Sequence, residues 1–132
     1  MSSLEQHPVE VIMARGLMSN MTTPAFLVDN EGTLIFFNEA AGELLGLAFE
    51  DAGPMAPEEW GSRFTPTTLD GRPVPLEEIP LAIAMNEARP AHSMLHIVSA
   101  IGKEFDIETS AFPIVGRGGQ AASLAIFWDR SR

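Results

Sequence analysis

The sequence predicts an α+β domain built round an antiparallel sheet, and three observations carry that reading. Residues 93–100 and 104–111, on either side of a turn at Gly102, read with a period of two, the pattern of half-buried antiparallel strands. Two short apolar runs, residues 24–29 and 33–37, flank the turn signal Asn30-Glu31-Gly32, which reads as a hairpin. Between these two sheet regions, Pro54, Pro57, Pro66, Pro73 and Pro75 leave room only for short helices.

The elements follow in order. In residues 9–21, Val9, Met13, Leu17 and Met21 recur every fourth position with Ile12 beside them, a helical stripe. That helix either packs on its own domain or pairs with a second chain, because a short terminal helix needs a partner surface. For the second case Val9, Ile12, Met13, Leu17 and Met21 are the contact residues. After the hairpin, Asn38 is suited to cap the helix over residues 39–45, with Glu39 favourable in its first turn and Gly46 as its stop. Pro57-Glu58-Glu59-Trp60 suits one helical turn carrying Trp60 inward. A second helix is expected over residues 76–87, with Ile79, Ile83 and Ala84 on one side and Pro80 near its start. Three strands close the chain. The second ends at Pro113, Gly116-Arg117-Gly118-Gly119 forms a loop, and residues 122–128 return. The expected organisation is a tail and flanking helix over 1–22 and one domain over 23–130.

Bulk properties bound the function. At 132 residues, 45% hydrophobic and 20% charged, the chain is one globular domain's worth. No stretch approaches the roughly 18 apolar residues of a membrane helix, and residues 1–8 have neither the basic nor the apolar run of an export signal. The absence of cysteine excludes disulfides, thiolate metal sites and cysteine nucleophiles, and suits a cytoplasmic protein. Eighteen acidic against eight basic residues give a charge of -10. Such a field repels nucleic-acid phosphates and anionic membrane, so neither is an expected partner.

The order of elements resembles a PAS domain. Residues 23–32, Thr-Pro-Ala-Phe-Leu-Val-Asp-Asn-Glu-Gly, resemble the family's first strand and turn. Residues 33–41 resemble its second strand running into an asparagine and an alanine-rich helix. Asp70-Gly71-Arg72-Pro73-Val74-Pro75, followed by Ile79-Pro80-Leu81-Ala82, is similar to a stretch in many bacterial PAS sensors. Residues 112–129 resemble the closing hairpin with its terminal Asp129. The resemblance implies a five-stranded antiparallel sheet with short helices over one face and an N-terminal helix. It also implies a signal-transduction role exercised through protein contacts, and a space between sheet and helices that commonly holds a small ligand. The chain's end at Arg132 gives the expectation of a stand-alone domain with no fused output.

Specific chemistry finds little support. His92 and His96 on one strand share a face but stand about 13 Å apart, too far to hold one metal at about 2 Å each. His7 in the tail supplies no evident third ligand. The helix over 76–87 lacks the axial histidine that haem-binding relatives use, and Met85 at helical spacing reads as core packing. The flavin–cysteine adduct of light-sensing relatives requires a cysteine. Haem, a flavin adduct and metal are therefore disfavoured, and the cofactor is left unassigned. Asp51, Glu58, Glu59, Glu77 and Glu78 sit in loops or helix starts rather than as a converging acid–base pair. No Gly-x-Ser-x-Gly elbow or phosphate loop occurs, so no catalytic residue is assigned.

Hydrophobic volume remains. Phe26, Phe36, Leu44, Leu45, Trp60, Phe64, Ile79, Ile83, Leu95, Ile107 and Phe127 are the expected lining of a space between helices and sheet; the alternative is a filled core. Three functions follow. The first is a sensor that binds a small apolar or aromatic ligand and acts on a second copy of itself or a separate regulatory protein. The second is a ligand-free dimerisation or scaffold domain. The third is a small α+β enzyme with a cone-shaped cavity, requiring titratable groups deep inside, His96 with an aspartate foremost.

Overall fold

In the computed structural model, which describes residues 8–130, helix α1 (Val9–Met18) precedes the hairpin β1 (Ala25–Asp29) and β2 (Leu34–Phe37). Three short helices follow, α2 (Glu39–Leu45), α3 (Phe49–Ala52) and α4 (Pro57–Ser62), then a 3₁₀ turn at Leu76–Glu78 and α5 (Pro80–Glu87). The chain closes with β3 (Ala91–Val98), β4 (Glu104–Gly116) and β5 (Gly119–Asp129). The five strands form one sheet in the order β2-β1-β5-β4-β3, every neighbouring pair antiparallel. His7 lies outside the described residues.

The sheet divides two cores. Its inner face buries Val28, Leu34, Leu95, Ile97, Phe105, Ile107, Ala125 and Phe127 against Leu45, Trp60, Phe64 and Leu81 of the helical layer and its connections. Its outer face buries Ala25, Leu27, Ala122 and Leu124 under Val11 and Met18 of α1. The period of two in β3 and β4 generates this division, because successive side chains point to opposite faces. Irregular chain covers part of each edge. Leu34 and Met55 exchange backbone hydrogen bonds of 2.8 and 3.0 Å along β2, and Thr67 and His96 exchange bonds of 2.9 and 2.8 Å along β3.

One side chain joins the layers. Asn38, buried to 2% exposure, caps α2 by accepting from the Ala41 amide at 3.0 Å and also accepts from the Ala25 amide at 3.1 Å. Its amide nitrogen donates to Met18 O at 3.1 Å and to Thr23 O at 2.9 Å. A second tie runs from Trp60 Nε1 to Gly32 O at 2.8 Å, fixing α4 to the β1–β2 turn. Gly32 has φ +87°, a backbone conformation that favours glycine, and a Cβ there would displace the Met85 thioether, 2.8 Å away.

Four expectations need correction. The predicted helix over 76–87 is broken, because Ile79 before Pro80 is extended (φ -71°, ψ 134°), as residues preceding proline tend to be. On α5 the buried side is Pro80, Leu81, Ala82 and Ala84, with Ile83 only half-buried. Strand β4 continues through Pro113 to Gly116. Its β3 partner has already ended opposite Ala111, so proline forfeits no ladder bond on that side. Finally, α1 packs through Val11 and Met18, with Ala14 half-buried beside them. The anticipated stripe faces outward: Val9, Ile12, Met13 and Leu17 are 61%, 43%, 69% and 64% exposed. Met21, beyond the helix end, packs on the outer core instead.

Replacing Asn38 by alanine strands four backbone partners and is expected to lower unfolding free energy by about 2–4 kcal/mol. Asn38→Asp, which keeps the acceptors and loses the amide donor, should also destabilise. Urea unfolding checks both, and a change within about 0.5 kcal/mol for each would show that these bonds carry no weight.

Candidate functional site

Between the inner sheet face and the helical layer lies a cavity of about 80 Å³. Phe26, Leu45, Trp60, Phe64, Ile79, Leu95, Ile107 and Phe127, all among the expected lining residues, border it. Strand β1 supplies Phe26, whose ring meets Phe127 edge-on at 5.2 Å; α2 supplies Leu45 from its last turn; and α4 supplies Trp60. Three expected residues lie elsewhere. Phe36 falls on the outer side, beneath the Arg15 guanidinium at 4.5 Å and against Phe49 at 5.5 Å. A bulge between Leu27 and Val28 shifts the β1–β2 register, and this local irregularity defeats a simple alternation count. Leu44 packs on the inner core but not on the cavity, and Ile83 borders neither.

Pro66, Leu81, Ile97, Thr109 and Ala125 complete the lining. Ile97 and Thr109 stand two residues from Leu95 and Ile107, and Ala125 two from Phe127, so the strand period would have found them. Leu81 and Pro66 carry no such signal. Thr109 is the one hydroxyl in this lining, and it donates to Ile126 O at 3.2 Å. Its proton is engaged within the sheet, and the remaining walls are overwhelmingly apolar. The volume is about half of the ~150 Å³ that accommodates benzene in an apolar protein cavity.

The outer face carries the titratable chemistry. His96 Nδ1 lies 2.8 Å from Asp106 Oδ1 and its Nε2 lies 2.8 Å from Glu104 Oε1. His92 Nε2 lies 2.7 Å from Glu108 Oε2, and Arg130 Nε approaches the same carboxyl group at 3.8 Å. The histidines share a face, as the strand spacing requires, and each turns to a carboxylate on β4. Among the described residues no group of three or more His, Cys, Asp and Glu side chains is placed to hold a metal. The aspartate partner that the enzyme reading required of His96 does exist. However, the pair stands on the opposite face of the sheet from the cavity, because residues 94, 96, 106 and 108 alternate outward.

Hydrogen bonding to Asp106, then to Glu104, holds the His96 pKa above its ordinary 6.5 against the opposing effect of desolvation. The folded state therefore binds this proton more tightly than the unfolded chain. The resulting stabilisation is fully present below about pH 6.5 and is lost as pH rises through the elevated folded value. Titration of the His96 ring by NMR is expected to give a midpoint above 6.5 that moves down in Asp106→Asn and further down when Glu104→Gln is added. An unmoved midpoint would show that these carboxylates do not hold the proton.

No family model matches the sequence, and no curated protein matches it significantly. Solved structures do. The LOV protein of Rhodobacter sphaeroides is similar over 95% of this chain and 70% of its own, with a TM-score of 0.73 at 16% identity. The PAS domain of a Colwellia psychrerythraea protein is similar over 97% of both chains, with a TM-score of 0.62 at 18% identity. The PAS domain of BvgS from Bordetella pertussis gives 0.60 at 12% identity, over 91% of this chain and 84% of that one. A five-stranded antiparallel sheet in the order β2-β1-β5-β4-β3, capped by short helices and shared along nearly the whole chain with these domains, gives this protein the PAS fold.

Proposed function

We propose that this chain is a sensory signalling module in which a small apolar molecule occupies the inner cavity and α1 passes the change to a second copy of the chain or a separate regulatory protein. The observation that carries the reading is the apolar cavity of about 80 Å³ at the junction of sheet and helices. The likeness in fold to PAS and LOV domains supports it. A volume this small suits a molecule of a few heavy atoms, and falls well below the roughly 300 Å³ at which drug-sized ligand pockets begin.

The route to α1 is short. Phe26 follows Ala25, and Leu45 closes the helix that Asn38 caps, so two cavity walls attach directly to the Asn38 hydrogen bonds that also hold Met18. A ligand that favours one packing of Phe26 and Leu45 biases the position of α1, provided it binds the two packings with different affinity. Val9, Ile12, Met13 and Leu17 then offer an uncharged, exposed helical stripe to a partner, and a two-fold arrangement of two copies would cover it on both. A protein partner also agrees with the -10 charge, which disfavours nucleic acid and anionic lipid. No described helix is long and apolar enough to cross a membrane. The absence of cysteine suits a reducing cytoplasm, and no catalytic residue enters the reading.

The small volume also favours a second reading, a scaffold domain with an essentially filled core. The two separate on ligand entry. Native mass spectrometry of the purified protein, compared with the denatured mass, is expected to reveal a small adduct. In the absence of one, xenon should cause saturable NMR shifts at the methyl groups of Leu45, Leu95 and Ile107. Ala125→Leu, which fills the space, should abolish them while leaving the fold intact. No adduct and no saturable xenon shift in the wild-type protein would leave the scaffold reading standing.

A further inference from the structure

We propose that the inner cavity and a surface groove beside it form one divided site, which takes an elongated, uncharged amphiphile when the Pro66 partition between them moves aside. The inference rests on the sensory reading of the cavity and extends it outward. The groove, about 430 Å³, is bordered by α4 and the connection leading to α5, through Gly61, Ser62, Pro66, Val74 and Leu76 among others. Pro66 also borders the inner cavity, so the two spaces share a wall at that ring. The cavity of about 80 Å³ admits only a few heavy atoms by itself. The groove exceeds the roughly 300 Å³ at which ligand pockets begin.

The partition is strained. Thr65 has φ +43°, a left-handed conformation that β-branched side chains rarely adopt, and a residue before proline is pushed toward extended backbone. Such a conformation persists only where its surroundings impose it. Here the flanks are tied to β3: Phe64 O accepts from the Val98 amide at 2.9 Å, and Thr67 and His96 exchange bonds of 2.9 and 2.8 Å. Between those ties, the Thr65 amide donates to Ser62 O at 3.0 Å and Pro66 O accepts from the Val74 amide at 3.1 Å. Relaxation of Thr65 toward extended backbone shifts Pro66 between the two ties and joins the spaces.

The linings select the occupant. The cavity walls are apolar apart from Thr109, whose hydroxyl already donates to Ile126 O, so the end that enters carries no polar group. The groove adds the hydroxyls of Ser62, Thr65 and Thr67 and the Glu58 carboxylate, with no cation in its lining. An anionic head is repelled there, the more so by a chain carrying -10. Glu58 is exposed, so an ammonium head gains little over a neutral one. An alcohol head donates to the Glu58 carboxylate or the threonine oxygens without carrying charge toward the apolar walls.

Titration of the full chain with straight-chain 1-alkanols tests this, read by NMR at the methyl groups of Leu45, Leu95 and Ile107, with xenon as the probe of the inner cavity alone. Affinity is expected to rise about fourfold per methylene from 1-butanol through 1-hexanol, with shifts at the Thr65 and Thr67 amides. Ser62→Trp, at an exposed position in the groove wall, should weaken 1-hexanol binding about tenfold or more and leave xenon unchanged. Thr65→Gly, which tolerates the left-handed conformation, should hold the partition shut and weaken 1-hexanol about fivefold. Thermal melts confirm that each variant is folded. The proposal is overturned if xenon enters but alkanol affinity stops rising at 1-butanol, or if neither variant weakens 1-hexanol. If neither xenon nor any alkanol shifts the cavity methyls of adduct-free protein, the sensory reading of the cavity falls and takes this proposal with it.

Discussion

The architecture depends on the Asn38 amide using its full hydrogen-bonding capacity at once. Two donor and two acceptor contacts reach the end of α1, the start of β1 and the first turn of α2, all from a site sealed from water. A buried amide is expensive unless every bond is made, and here the bonds can be made only if the three segments arrive together. Hydrophobic contact alone would allow α1 to slide over Ala25, Leu27 and Leu124. The directional bonds to Met18 O and Thr23 O specify where it rests.

One layer of backbone separates the apolar cavity from the proton-binding face. In β3 and β4, Leu95, Ile97 and Ile107 point inward while His92, His96, Asp106 and Glu108 point outward. Neighbouring residues therefore contribute to opposite environments, one apolar and one charged. A shift of β3 felt at Leu95 moves Met94 and His96 with it, since all three share the same pair of peptide planes. The two faces are chemically distinct and mechanically one object.

Much of this was legible in the sequence, and the exceptions have physical causes. The strands follow from the two-residue period on either side of Gly102, clearest over residues 104–111, and Asn38 was readable as a cap because it directly precedes a helix. Its three other bonds were not, since they involve residues 13 to 20 positions away. Eight cavity residues were anticipated because they are large and apolar. Phe36 was misplaced because a bulge altered its register in a hairpin apolar on both faces. The α1 stripe at four-residue spacing was real but outward-facing. A helix with two apolar sides offers no local signal of which one its own domain will take, and here Val11 and Met18 cluster with the outer-face residues Ala25 and Ala122. The carboxylate partners of the histidines needed the β3–β4 register, which sequence spacing alone does not fix.

The partly covered sheet edges have a consequence for the protein's behaviour at high concentration. A β-strand at an open edge recruits strands from other molecules and seeds cross-β stacking. Here Met55 occupies hydrogen-bonding positions along β2, while Phe64 and Thr67 occupy them along β3. Strand recruitment must first peel away these segments, whereas contacts across the faces need no such opening. Edge pairing at those positions is opposed to that extent.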